Sequence, residues 1–271
     1  MDIAQKTQLM SGFVIWLAAF VGYLGASLYY KKRGRTELLP FLMYFMIAGF
    51  MIGTHQVFEF LSLYTGSAII YKIGLLISLA GMVFYLISLE KLYNRDLYVK
   101  YFWFVWVFVG IYLFLKPVTF SAFAFHLEHQ SIFFWTLAWF IFFMYWVICI
   151  ISEQKTVKKF IPKSLMWMYL LFSMTISFLV SIGYSLWNYY THEVNICVTY
   201  PSIWCTFAVL QILLLPFFLY FLPIQMKTLP PKTTLPFKSF CAYLFVVIIL
   251  VILVSSYLIS TGCFNIKFIL Q

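Results

Sequence analysis

Long apolar stretches limit the folds that this chain can adopt. A helix needs about 20 largely apolar residues to cross the hydrocarbon core of a membrane. Eight such stretches follow one another along the 271 residues: Ser11–Tyr30, Pro40–Leu63, Ala68–Leu89, Tyr101–Lys116, Ser131–Ile151, Ser164–Tyr190, Ser202–Leu222 and Ser239–Ser260. They are apolar on every face, whereas strands of a membrane β-barrel alternate polar and apolar residues. The sequence therefore predicts an all-α fold, a polytopic transmembrane helix bundle of about eight spans.

The composition excludes the main alternatives to a membrane protein. Hydrophobic residues make up 64% of the chain and charged residues only 10%, whereas a soluble domain carries about 25% charged residues. Since no loop is long enough to fold alone, we expect residues 1–271 to form a single transmembrane helical domain in the cell membrane, with no soluble domain. The sequence contains no Asn-x-Ser/Thr, which agrees with a bacterial inner-membrane protein.

The distribution of basic residues predicts how the bundle is oriented. Loops 31–39, 91–100, 152–163 and 223–238 hold 14 of the 18 Lys and Arg residues, and the cluster Lys31–Arg35 directly follows the first span. Because cytoplasmic loops are enriched in Lys and Arg, these loops are expected on the cytoplasmic side, with both termini on the opposite side. The net charge of +10 then reflects topology and contact with anionic lipid, and it does not indicate a nucleic-acid partner.

Two local features bear on how the spans end and pack. Pro117 follows Lys116, so the fourth span either ends there or kinks and continues to Phe125. Small residues four apart allow membrane helices to approach closely. Such residues recur in the first three spans: Ala18, Gly22, Ala26, Gly49, Gly53, Gly74 and Ser78. They predict helix–helix contacts within the bundle.

The second span carries the strongest candidate site. His55 and Glu59 are four residues apart, so they share one helix face, which Ser62 extends. Ionisable residues at membrane depth are costly, and they usually face the bundle interior and mark functional sites. The alternative is purely structural: Lys72 in the third span lies at a similar distance from the connecting turn, and a Glu59–Lys72 ion pair would satisfy the group.

A second candidate is the segment His126-Leu127-Glu128-His129 before the fifth span. Two histidines three apart on one helical turn can bind one zinc ion, and a catalytic zinc usually has three protein ligands and a water. His126 and His129, together with His55 or Glu59, would form such a set. Glu59 or Glu128 would act as the general base.

Two functional hypotheses follow. The first is a metal-dependent, membrane-embedded hydrolase or transferase that acts on a lipid-like substrate near the outer leaflet. Its metal ligands would be His55, His126 and His129, and its catalytic carboxylates Glu59 and Glu128. The second is a non-enzymatic transporter, sensor or membrane assembly partner, whose polar cluster is structural or binds a proton or ion.

Overall fold

The architecture is a bundle of helices, as the apolar stretches predict. The computed structural model describes residues 3–116, 118–121, 124–127, 129–170 and 216–260. Within these ranges, the side chains of residues 3–8, 118–134, 136, 254, 255 and 257–260 are not part of that description. The described residues are mostly helical. The helices are α1 (Ile3–Lys32), α2 (Leu39–Thr65), α3 (Ala68–Tyr93), α4 (Phe102–Leu115), α5 (His129–Val157), α6 (Lys163–Leu170), α7 (Pro216–Gln225) and α8 (Phe237–Ser260).

Short strands accompany the helices. They are β1 (Arg95–Asp96), β2 (Val118–Ser121), β3 (Ala124–Leu127) and β4 (Thr233–Thr234). β2 and β3 form an antiparallel hairpin, and β1 pairs with β4 in parallel.

Four helical segments in the described part of the chain are long and apolar enough to cross a membrane. They are Leu9–Lys32, Thr36–Thr65, Ala68–Tyr93 and Leu137–Val157. Three further apolar helices are shorter: Val99–Leu115, Pro216–Gln225 and Phe237–Leu253. The all-α prediction is thus supported. The expected count of about eight spans is not confirmed, because four of the described helical segments are long enough. Most of the predicted sixth and seventh spans lies outside the described residues.

The sequence alone left the end of the fourth span open, and the structure decides it. α4 ends at Leu115, and Lys116 adopts an extended conformation, with φ −91° and ψ 141°. A residue before proline is disfavoured in the α region, so Pro117 accounts for this ending. The chain then turns into the β2–β3 hairpin. The alternative, a kinked helix that continues to Phe125, is wrong.

The turn between α2 and α3 is short and well defined. Gly66 ends α2 in the left-handed conformation, with φ 68°. The side chain of Ser67 then caps α3 by accepting a hydrogen bond from the Ile70 amide at 3.5 Å. This two-residue connection holds α2 and α3 antiparallel and side by side, which brings the candidate face of α2 against α3.

Small residues lie where these helices cross, as predicted. A Cβ atom added at Gly74 would lie 3.0 Å from the Phe58 Cβ and 3.6 Å from the His55 Nδ1. One added at Gly81 would lie 3.3 Å from the Ala48 carbonyl oxygen. The glycines of α3 therefore let its backbone approach α2 closely.

The four loops predicted to be cytoplasmic meet at one end of the bundle, here called the basic end. Arg35 donates hydrogen bonds to the carbonyls of Pro223 (3.1 Å) and Met226. Asn94, which ends α3 with φ 50°, donates to the Pro230 carbonyl at 2.8 Å. Arg95 pairs with Glu153, as described below. Loops 31–39, 91–100, 152–163 and 223–238 therefore share one end, as the charge pattern requires.

Candidate functional site

His55 and Glu59 form a buried pair on one face of α2. The two side chains are 3% and 2% exposed, and His55 Nε2 lies 3.4 Å from Glu59 Oε1. Because α2 rises about 1.5 Å per residue, His55 lies about 15 Å along the helix from its end at Thr65. The predicted shared face is confirmed: an ionisable pair lies well inside the second span. We call this pair the dyad.

The imidazole of His55 is held against α3 by its other nitrogen. His55 Nδ1 lies 3.0 Å from the carbonyl oxygen of Gly74. A carbonyl oxygen only accepts hydrogen bonds, so Nδ1 carries a hydrogen and donates it. Nε2 is then the atom that faces Glu59. This hydrogen bond requires α2 and α3 to approach closely at Gly74, because the side chain of a larger residue there would clash with Phe58.

Three consecutive carbonyls of α3 accept side-chain hydrogen bonds from three different helices. The Gly74 carbonyl accepts from His55 of α2, the Leu75 carbonyl from Trp135 Nε1 of α5 at 2.9 Å, and the Leu76 carbonyl from Trp106 Nε1 of α4 at 2.9 Å. Successive residues are about 100° apart around a helix axis, so the three carbonyls face three different neighbours. This stretch of α3 is the centre of the bundle at the level of the dyad.

The indole of Trp135 also lies close to the dyad. Its ring centroid is 6.5 Å from that of His55, at an interplanar angle of 36°. An aromatic ring beside the imidazole lowers the local polarity and helps to exclude water, which strengthens electrostatic interactions within the dyad.

Gln56, next to the dyad, is an unusual buried residue. It is 0% exposed, and neither Nε2 nor Oε1 of its amide has a hydrogen-bond partner among the described residues. Its Cβ faces α1, since a Cβ atom added at Gly12 would lie 3.3 Å from it. Gln56 was not among the residues predicted from the sequence, although an amide inside an apolar span next to an ionisable pair is a usable signal.

The structure corrects the expected partner of Lys72. Among the described residues, Lys72 forms no ion pair with Glu59. Its ammonium instead donates to the carbonyl of Lys116 at 2.6 Å and lies 5.8 Å from the centroid of the Phe114 ring. The reason is the end of α4 at Leu115: the extended Lys116 turns its carbonyl toward the first turn of α3.

The second candidate segment is not one helical turn. His126 lies in β3, paired with Thr119 of β2, whereas His129 is the first residue of α5. The two histidines therefore do not share a helical turn, and that prediction is wrong, because the chain after Pro117 forms a hairpin. The side chains of His126 and His129 are not described, and Glu128 lies outside the described residues. Within the described residues, no group of three His, Cys, Asp or Glu residues is close enough to hold a metal ion.

A further polar cluster lies at the basic end. Glu153 of α5 is 2% exposed. Its Oε1 accepts a hydrogen bond from the Tyr243 hydroxyl at 2.7 Å. Its Oε2 lies 2.9 Å from Arg95 Nε and forms an ion pair with it, although the angles do not fit a hydrogen bond. This cluster joins the α3–α4 loop, α5 and α8. This cluster was not predicted from the sequence, because the three residues are far apart along the chain.

Comparison with known proteins finds no matching family model, no matching curated protein and no matching solved structure. The four apolar helices are compatible with a membrane protein, and nothing among these comparisons indicates an activity.

Proposed function

We propose that this protein is a multi-pass membrane protein in which the dyad binds a proton, as required of a proton-coupled transporter or a pH sensor. The observation that supports this is the distance of 3.4 Å between His55 Nε2 and Glu59 Oε1 inside the second span. Buried ionisable residues in membrane helices commonly form proton relays. In this proposal the basic end faces the cytoplasm, both termini lie on the other side, and the bundle has about eight spans.

Counting charges indicates how many protons the dyad holds. With Nδ1 donating to Gly74, a single proton shared between Nε2 and the carboxylate gives a site with no net charge. Removing that proton leaves a buried anion whose oxygen faces a nitrogen lone pair. Adding a second proton leaves a buried cation. Either charged state is costly in an apolar interior, so the dyad favours the state with one shared proton.

The proposal is tested by nitrogen NMR of the full chain in lipid nanodiscs, with all histidines labelled. The histidine signal that disappears in His55→Gln is the signal of His55. We expect that signal to report an Nδ1–H and a strongly hydrogen-bonded Nε2 in the wild-type protein. We expect Glu59→Gln to leave a neutral imidazole with a weaker Nε2 hydrogen bond.

A matched control is Glu153→Gln, which removes a buried carboxylate at the basic end and should leave the His55 signal unchanged. If His55 titrates as an exposed histidine does and ignores Glu59→Gln, the dyad holds no shared proton and the proposal fails. If the shared proton is found, proton uptake by vesicles distinguishes the two functions. A transporter takes up protons in the wild-type protein and not in Glu59→Gln, whereas a sensor gives no uptake in either.

A specific observation also favours the metal-dependent enzyme as a second candidate. Two ligands of a tetrahedral zinc, with bonds of about 2.0–2.2 Å, lie about 3.4 Å apart, and this is the separation of Nε2 and Oε1. Histidines that bind metals usually donate their other N–H to a carbonyl or carboxylate, as His55 donates to Gly74.

In this second candidate, His126 or His129 would supply the third protein ligand beside His55 and Glu59, and water would take the fourth position. Glu128 would be the general base, and the substrate would be lipid-like and lie near the outer leaflet. Metal analysis of the purified protein tests it. Bound zinc in the wild-type protein that is lost in His126→Ala/His129→Ala would support it. A metal-free protein that binds no added zinc would contradict it.

A further inference from the structure

The basic end exposes nearly all of its cations. Twelve of the fourteen Lys and Arg residues in its loops are exposed: Lys31, Lys32, Arg33, Lys91, Lys100, Lys155, Lys158, Lys159, Lys163, Lys227, Lys232 and Lys238. The two exceptions, Arg35 and Arg95, are the ones that join the loops to one another through Pro223, Met226 and Glu153. We call the twelve exposed residues the cationic face.

The acidic residues of the same loops, and Glu90 beside them near the end of α3, do not neutralise this face, because most of them bind groups within the protein. Glu37 pairs with Arg35. Glu90 Oε1 accepts hydrogen bonds from the amides of Leu97 (2.9 Å) and Val99 (3.2 Å). Glu153 is buried against Arg95 and Tyr243. Asp96 is the one exposed acidic residue in these four loops. The charge that the basic end presents is therefore almost purely positive.

Tyrosines indicate the depth at which these cations lie. Arg33 is 5.4 Å from the centroid of the Tyr29 ring, Lys91 is 5.8 Å from that of Tyr44, and Lys100 is 5.4 Å from that of Tyr101. Tyrosine is enriched at membrane interfaces, at the level of the lipid headgroups. Several helices carry their cations at their ends: Lys31 and Lys32 in the last turn of α1, Lys91 in that of α3 and Lys155 in that of α5.

We propose that the cationic face binds the headgroups of anionic phospholipids in the adjacent leaflet and that this binding stabilises the joined loops. Two observations favour lipid over an acidic protein. The cations are distributed over the ends of several helices rather than concentrated on one projecting segment, and they lie beside interfacial tyrosines. A ligand that binds only the folded protein raises its stability, so anionic lipid should stabilise the contacts that Arg35 and Arg95 make.

The test compares thermal unfolding of the full chain in nanodiscs of pure phosphatidylcholine and in nanodiscs of equal parts phosphatidylcholine and phosphatidylglycerol. We expect a higher Tm in the mixed nanodiscs. The gain should shrink at high salt and in Lys155→Gln/Lys158→Gln/Lys159→Gln/Lys163→Gln, whose four side chains are exposed. An equal Tm in the two lipids, or a variant that keeps the full gain, would overturn the proposal.

A matched pair of single variants tests the location of the site. Lys100 and Lys116 lie at opposite ends of α4, and each lies close to a tyrosine ring, that of Tyr101 or Tyr112. Each basic residue near an anionic surface contributes about 1 kcal/mol, so Lys100→Gln should weaken the relative affinity for spin-labelled phosphatidylglycerol about fivefold. Lys116→Gln should leave it unchanged. Equal effects of the two variants would contradict a site at the basic end. Tighter binding of polyglutamate than of phosphatidylglycerol vesicles by the wild-type protein would contradict anionic lipid as the ligand.

Discussion

Gly12 of α1 and Gly53 of α2 contact each other reciprocally. A Cβ atom added at either glycine would lie 3.0 Å from the carbonyl oxygen of the other. The two backbones therefore contact each other at this crossing. Trp16 of α1 stabilises the contact, because its Nε1 donates a hydrogen bond to Thr54 Oγ1 of α2 at 3.0 Å. This crossing is one of the contacts that attach α1 to the bundle, together with the hydrogen bond from the Tyr30 hydroxyl to the Leu219 carbonyl of α7.

The first prediction concerns this crossing. Gly12→Ala places a Cβ atom 2.7 Å from Val57 Cγ2 and against the Gly53 backbone, so the helices must separate. We expect a loss of about 1–3 kcal/mol in the free energy of unfolding, measured in mild detergent. Gly25→Ala is the matched control on the same helix, because nothing lies within 4 Å of the added atom. Equal free energies of unfolding for Gly12→Ala and Gly25→Ala would contradict the close contact between Gly12 and Gly53.

The second prediction concerns Gln56. A buried amide without hydrogen-bond partners costs about 1–3 kcal/mol in desolvation. We therefore expect Gln56→Leu, which has a similar volume, to raise the Tm. Gln154→Leu is the control. Gln154 Nε2 donates to the Ile161 carbonyl at 2.9 Å, whereas its Oε1 has no partner among the described residues, so removing the amide breaks one hydrogen bond and should lower the Tm. A drop in Tm for Gln56→Leu would mean that the amide is paired in the membrane.

The third prediction separates the two indoles that bind α3. Trp135→Phe and Trp106→Phe each remove one hydrogen bond to an α3 carbonyl and should each cost about 1 kcal/mol. Trp135 alone of the two has a ring contact with His55. We therefore expect only Trp135→Phe to change the nitrogen chemical shifts of His55 in labelled protein. The same shift change in both variants would indicate a general rearrangement of the bundle rather than a local contact.

The fourth prediction concerns the cluster at the basic end. Removing one partner of a buried ion pair costs about 3–5 kcal/mol, so Glu153→Leu should strongly destabilise the protein. Tyr243→Phe removes one hydrogen bond to the carboxylate and should cost about 1.5–3 kcal/mol. In a double-mutant cycle, adding Tyr243→Phe to Glu153→Leu should have little further effect. Fully additive losses would show that Tyr243 and Glu153 act independently. In detergent without anionic lipid, Lys155→Gln, at an exposed position nearby, should leave the free energy of unfolding unchanged.

Local patterns predicted the features that depend on one helix. The face shared by His55 and Glu59 follows from helical periodicity alone, and Gly66 and Pro117 act on the residues next to them. The helices extend beyond the apolar stretches, as α1 does through Lys31 and Lys32, because long cationic side chains are compatible with helix ends at a membrane surface.

Features that depend on how helices cross could not be predicted in the same way. The sequence indicated that Glu59 needs a partner, but the choice between His55 and Lys72 depends on where α4 ends and where its last carbonyl points. The Gly74 carbonyl carries no sequence signal as an acceptor, since every residue has one. Arg95, Glu153 and Tyr243 are adjacent only because three separate segments meet. The charge pattern predicted that their loops share a side without predicting the pairs.

The three adjacent carbonyls of α3 restrict how the bundle can rearrange. Turning α3 by one residue, about 100°, or sliding it by about 1.5 Å would break its bonds to His55, Trp135 and Trp106 together. The axial positions of α2, α4 and α5 relative to α3 are thus fixed by hydrogen bonds at one level of the bundle, that of residues 74–76. A conformational cycle that uses the dyad would have to carry these four helices as one rigid body, with its hinges in the connecting loops.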